Sequence, residues 1–182
     1  MQKKYKNNNI KIKNVFGFSI VELVVAISIM VLITSVFLTN YHDANNKSKL
    51  TLATQKLVSD IRLSQNYSLG LKEFNGNFSL GGWGIYLATT SPSYIIFADE
   101  NGNFSYNEGE KYQTILFNDI VISNIAIDTA ESEDANIVFE PPNPNTKIES
   151  SGNSIKITLK NENENSTKTI EVNSLGLIDI ID

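Results

Sequence analysis

A chain of 182 residues with 41% hydrophobic composition has room for one modest domain and a membrane anchor. It contains no cysteine, which excludes disulfide frameworks, thiolate nucleophiles and Cys-ligated metals. Its formal net charge is −5, and such an acidic balance repels phosphate backbones, which argues against general nucleic-acid binding.

Residues 1–17 carry Lys3, Lys4, Lys6, Lys11 and Lys13 and no acid. By the positive-inside rule these lysines hold the segment in the cytoplasm and send the rest of the chain outward. Without those five, 10 basic residues face 20 acids, a formal charge near −10. From Phe18 to Leu38 the residues are almost all aliphatic, Phe, Met or small hydroxyls. As a helix this run spans about 31 Å, the thickness of a bilayer core. Around Ser35-Val36-Phe37 there is no small-residue A-x-A cleavage pattern, so the apolar segment is expected to be retained. One carboxylate, Glu22, interrupts it about one turn from its start. A charge at mid-membrane costs about 2.5–3.5 kcal/mol, and intramembrane carboxylates are usually paired or functional. Glu22 therefore either snorkels to the headgroups of an ordinary anchor or has a partner.

The string Gly17-Phe18-Ser19-Ile20-Val21-Glu22-Leu23 resembles the class III signal of type IV pilins and type II secretion pseudopilins. It combines a basic leader, Gly before the cut, Phe after it, Glu at a fixed offset and a membrane-length apolar run. The resemblance implies cleavage by a prepilin peptidase between Gly17 and Phe18 and N-methylation of the new Phe18 amine. Glycine suits the cut, because a residue without Cβ lets a protease approach the backbone. It further implies that Glu22 neutralises the Phe18 amine of a neighbouring subunit in a filament, where low dielectric makes an unpaired charge costly. Two features depart from the family. Many major pilins close a C-terminal loop with a disulfide, and family members often carry a helix-kinking proline where this chain has Thr39.

Beyond the apolar run, Leu50, Ala53, Leu57, Ile61 and Tyr67 recur with helical spacing, with Lys49, Gln55, Lys56, Asp60 and Arg62 between them as the wet face. Asn45 and Asn46 are poor helix formers that leave room for local loosening. Gly70 is the natural stop. The predicted organisation is a leader (1–17), an apolar helix half (18–40), an amphipathic half of the same helix (41–70) and a β-rich domain (77–182).

In that domain, β-branched and aromatic runs predict strands near Trp83–Leu87, Tyr94–Ala98, Tyr112–Phe117, Ile120–Ile127, Asn136–Glu140, Ser154–Lys160, Lys168–Val172 and Leu177–Ile181. Ile155, Ile157 and Leu159 alternate with Lys156, Thr158 and Lys160, so that strand has one wet face. The expected fold class is α+β, a long N-terminal membrane-spanning helix packed on a C-terminal antiparallel β-sheet domain, and in view of the signal above, pilin-like. WGIYL at Trp83–Leu87, FADENGN at Phe97–Asn103 and VNSLGLI at Val172–Ile178 are similar to the H-type minor pseudopilins and FimT-like pilins.

One stretch has metal-site spacing. Asp99, Asn101, Asn103, Ser105 and Glu110 offer side-chain oxygens at alternate positions, with Glu110 the twelfth residue counted from Asp99, as in a calcium loop. Phe104 stands where that loop wants Gly, and strands flank it instead of helices. The competing reading is a two-residue hairpin turn at Asn101-Gly102 with its acids simply solvated. His42, the single histidine, has no Cys or second His near it, Trp83 and the tyrosines read as packing residues, and Glu131, Glu133 and Asp134 read as a solvated charged loop.

No nucleophile is paired with a base and no glycine loop cradles phosphate, so an enzyme is not expected. The expected function is that of a structural, minor subunit of a type IV pilus or type II secretion pseudopilus. No cofactor is required, with weak calcium binding as the one option. The expected partners are other pilin subunits, the prepilin peptidase, the cytoplasmic membrane and an assembly platform. The subunit would first be a single-pass protein of that membrane, N-terminus inside and β domain outside, and later part of a periplasmic or extracellular filament. The alternative is a membrane-tethered adhesion or DNA-capture module that does not polymerise.

Overall fold

The computed structural model describes residues 17–142, 145–163 and 165–181. The leader lysines lie outside these residues, as do the side chains of Thr39 and His42. The chain divides into two compact units, Met1–Tyr41 and His42–Asp182. Helix α1 (Ile20–Leu69) contributes to both. Asn45 and Asn46 are helical, so no loosening occurs there.

In the first unit, Ile20–Leu38 is long and apolar enough to cross a membrane, and none of it is buried. Gly17, Phe18 and Ser19 precede the helix in non-helical backbone.

Among its described residues the second unit is α+β, with twelve antiparallel strands in chain order: β1 (Glu73–Phe74), β2 (Asn77–Phe78), β3 (Gly82–Ala88), β4 (Ser93–Asp99), β5 (Lys111–Leu116), β6 (Ile120–Ile127), β7 (Ala130–Ser132), β8 (Asp134–Glu140), β9 (Asn145–Ile148), β10 (Ser154–Asn161), β11 (Thr167–Asn173) and β12 (Ile178–Ile181). They form a β1-β2 ribbon and two five-stranded sheets, ordered β5-β4-β3-β8-β9 and β12-β11-β10-β6-β7. All eight predicted strands are present, within two residues at their ends. The sequence reading missed β1, β2, β7 and β9, each of four residues or fewer, too short for an alternation to register. Glu131 therefore belongs to a short exposed edge strand and not to a loop.

Inward residues of both sheets join one face of α1 in a single core. Trp83, Ile85, Leu87, Ile137 and Phe139 come from the first sheet, and Ile122, Ile125, Ile155, Ile157, Leu159 and Ile170 from the second. Ile122 and Ile125 break the period of two yet are both buried, because a register shift against β10 leaves Ser123 as an extra residue. On α1, Leu50, Thr54, Leu57, Ile61, Ser64 and Ser68 are buried, a spacing of three and four that defines one stripe. Half of that stripe is hydroxyl-bearing. Thr54 and Ser64 bond back to the carbonyls of Leu50 and Asp60, which lets polar side chains sit in the core.

Asp60 corrects the wet-face reading, since it is only 2% exposed. The Tyr94 hydroxyl donates to its Oδ2 at 2.5 Å and Lys56 Nζ to its Oδ1 at 2.7 Å, so the buried carboxylate is partnered on both oxygens. Burial, and then the bond to Asp60, pushes the Tyr94 phenol far above its ordinary range, which keeps it a donor.

The helix stops at Gly70 as expected, but the left-handed residue is Leu71, with φ 47°. The Lys72 N–H reaches the Tyr67 carbonyl and the Leu71 N–H that of Ser68, the paired bonds of a Schellman motif with leucine where glycine is usual. Gly82 (φ 94°) is required by packing, because a Cβ there would stand 2.0 Å from the Phe139 carbonyl oxygen. That closeness lets Ser68 Oγ at the end of α1 donate to the same carbonyl.

Candidate functional site

The N-terminal constellation occupies the start of α1. Gly17 has nothing within 4 Å of where a Cβ would project, and Phe18 is 83% exposed. Both belong to the non-helical lead-in to α1. Glu22 lies in the first turn of the helix, where the free N–H groups favour a negative charge. Among the described residues Glu22 has no hydrogen-bond or ion-pair partner. The apolar side chains that follow it, from Leu23 to Leu38, are also uncovered. Single residues of this kind are ordinary on a surface, whereas a continuous apolar helix surface marks contact with lipid or other protein.

The oxygen-rich stretch is built differently from either reading of it. Its eleven residues, 100–110, bridge β4 and β5, so Asn101-Gly102 is not a two-residue hairpin. The Asn-Gly hairpin lies instead at Asn75-Gly76, where both residues have positive φ and join β1 to β2. Nor are the acids at its ends solvated, since Asp99 is fully buried and Glu110 nearly so. Asp99 Oδ1 accepts the N–H groups of Gly102 and Asn103, and its Oδ2 that of Phe104. Glu110 accepts the N–H groups of Glu100 and Asn107. Asn101 and Asn103 both donate to Asn107 Oδ1, and Asn103 Oδ1 accepts the Ser105 N–H.

The predicted calcium ligands are thus close in space, with Asp99, Glu110 and Asn103 aimed at backbone donors. Burial, followed by the Asp99 charge, raises the Glu110 carboxyl above its ordinary range, although its bond from Asn107 works against the rise. Among the described residues no group of three or more His, Cys, Asp or Glu could hold a metal ion. The loop also packs inward. Tyr106 stacks on Tyr86 at 5.4 Å and meets Phe97 edge-on at 5.6 Å, covering the face of the first sheet opposite the main core.

A second cluster escaped the sequence reading. Lys72 Nζ lies 3.5 Å from the ring centre of Tyr67, 4.0 Å from that of Tyr112 and 5.0 Å from that of Trp83, and it donates to the Tyr112 hydroxyl at 2.9 Å. Trp83 Nε1 donates to the Lys72 carbonyl, which fixes the lysine backbone over the rings. Burial works against the Lys72 charge, but the bonds to Tyr112 and Tyr67 outweigh it and raise its pKa, while the same bond lowers that of Tyr112. These residues come from α1, β3, β5 and the link after α1, and no spacing in the sequence joins them.

Comparison of the chain with protein-family models, curated proteins and solved structures found no match.

Proposed function

We propose that this chain is a pilin-like structural subunit, cut after Gly17, methylated on the Phe18 amine and assembled through the apolar part of α1. The carrying observation is a lone first-turn carboxylate, Glu22, heading an uncovered membrane-length helix shortly after a non-helical, exposed Gly17–Phe18 segment.

In the membrane, lipid covers this helix. Leaving the bilayer would expose some twenty apolar residues, so packing against equivalent helices has to replace lipid contact. The exchange is nearly neutral in hydrophobic terms, and direction must come from a polar interaction. Cleavage creates it. The freed Phe18 amine is a cation at a helix start, where it is unfavourable, and Glu22 of a neighbouring subunit neutralises it in low dielectric. A β domain with a net acidic surface then lies on the filament exterior. On the similarity of its strand motifs the chain is a minor subunit of the H-type class, in a pilus or a secretion pseudopilus.

Mass spectrometry of the protein from cells with an active prepilin peptidase tests the first step. The expected N-terminus is methylated Phe18, and Gly17→Leu is expected to leave the chain uncut. Glu22→Ala should be processed and yet fail to enter sheared filaments. An uncut chain in the wild type, or full incorporation of Glu22→Ala, would leave a tethered module that does not polymerise.

A further inference from the structure

Where the flank of α1 passes β12 lies a groove of about 580 Å³, lined by the helix between residues 55 and 66 and by the strand between 178 and 180. That length of helix is about 16 Å, the reach of about five residues of extended chain. One wall is helix, and the other is the open edge of the second sheet, a template on which a further strand can pair.

The edge has backbone groups to offer. The Asn173 N–H bonds to the Leu177 carbonyl, so residues 177, 179 and 181 face β11, and the N–H and C=O groups of Ile178 and Ile180 point out of the sheet. The Ile180 N–H is met by Asp179 Oδ1 at 2.9 Å, an acceptor from the adjacent residue. A carboxylate so placed blunts the edge against indiscriminate pairing and yields to a strand that brings its own carbonyl. The groove also holds an unanswered charge. Arg62, the one arginine of the chain, is exposed there and makes no hydrogen bond or ion pair among the described residues. Around it the walls are apolar, with Val58 and Leu63 from α1 and Ile178 and Ile180 from β12. Ile178 packs on the core, so both isoleucines are on the α1 side of the sheet. Val58 and Arg62 are about 6 Å apart along the helix, close to the roughly 7 Å between alternate residues of a strand.

The match for such a groove is an extended segment with an acid facing α1, and a second copy does not supply it. A copy would dock by one of the four edge strands of its two sheets, of which β5 and β9 contain no acid. Glu131 of β7 lies opposite Ala126, whose neighbour Ile125 is in the core, and Asp179 of β12 lies opposite Glu171, whose neighbour Ile170 is in the core. Both carboxylates are therefore on the outer face, away from Arg62. We propose that the α1–β12 groove receives an extended segment of a partner protein, which adds as a strand to β12 and sets a carboxylate side chain, with small β-branched residues two positions to either side, against Arg62. Such docking holds whether or not the chain polymerises, because the groove lies wholly within the unit His42–Asp182.

Fluorescence anisotropy with the full chain in maltoside micelles tests it, using the peptide acetyl-TVTETVT-amide with a neutral coumarin label and its Glu-to-Gln and Glu-to-Lys versions. The Glu peptide is expected to bind saturably, the Gln peptide about fivefold more weakly, as for a partly screened ion pair, and the Lys peptide more weakly still. Arg62→Gln should bring the Glu and Gln peptides to one affinity while the Trp83 unfolding midpoint stays in place, because Arg62 is exposed. Asp179→Ala removes the competing acceptor and a like charge, and should tighten the Glu peptide about twofold or more. No saturable binding, equal affinity of the wild type for the Glu and Gln peptides, an Arg62→Gln chain that still tells them apart, or no tightening in Asp179→Ala would overturn the proposal. So would a dimer of the chain that Arg62→Gln dissolves, since the occupant would then be a second copy.

Discussion

Removing one oxygen atom, by Tyr94→Phe, tests whether the buried carboxylate on α1 depends on a sheet residue. Tyr94 is 1% exposed and packs against Phe117 at 5.1 Å between ring centres, so phenylalanine keeps the ring contacts and opens no cavity. What is lost is the 2.5 Å bond to Asp60. Hydrogen bonds to charged groups contribute about 1.5–3 kcal/mol. Lys56 cannot replace the donor, since it already holds the other oxygen and its side chain is 57% exposed, which leaves that pair well screened. The expected loss is about 2 kcal/mol, or about 1 M urea in midpoint at a slope of about 2 kcal/mol per molar. Trp83, the single tryptophan and almost fully buried, reports the transition by fluorescence in the full chain.

The pH dependence supplies a second arm. The folded state holds the Tyr94 proton above the ordinary value of 10, so above pH 10 the unfolded chain binds fewer protons and wild-type stability falls. Tyr94→Phe lacks that fall, and the gap between the two proteins narrows as pH rises beyond 10. A loss below about 0.5 kcal/mol, under even a weak neutral bond, or a gap that does not narrow, would refute the assignment.

Three further outcomes follow from the same domain. Leu71→Gly relieves a left-handed leucine, a strain of about 1–2 kcal/mol, against the extra backbone entropy of glycine; the urea midpoint should rise slightly, and a fall would mean that the leucine side chain matters more than its backbone. Phenolate absorbance should show Tyr112 titrating below the ordinary tyrosine value, and Lys72→Met should raise it by removing the donor that lowers it. Millimolar calcium should leave the melting temperature where chelator leaves it, because a cation at loop 100–110 would have to displace backbone N–H groups from Asp99 and Glu110. A rise in melting temperature with calcium would mean the loop rearranges to take the ion.

By itself the sequence determined what depends on neighbours along the chain. The apolar run and Glu22 in its first turn follow from composition and spacing. The stripe of Leu50, Leu57 and Ile61 follows from the helical repeat, and the inward set of Ile155, Ile157 and Leu159 from strand alternation. A period tells which face a residue is on. It does not tell which strand lies alongside, so the pairing of β3 with β8 and of β6 with β10 was decided only by tertiary structure. Polar residues show the same limit most sharply. Asp60 reads as solvated until Tyr94, distant in sequence, supplies a donor, and Asp99 reads as a free acid until the 100–110 loop folds its N–H groups around it. The physical reason is that burying a charge is decided by partners: for Asp60 the sheet brings in Tyr94, and for Asp99 the conformation of its own loop, which no spacing announces, turns neighbouring N–H groups inward.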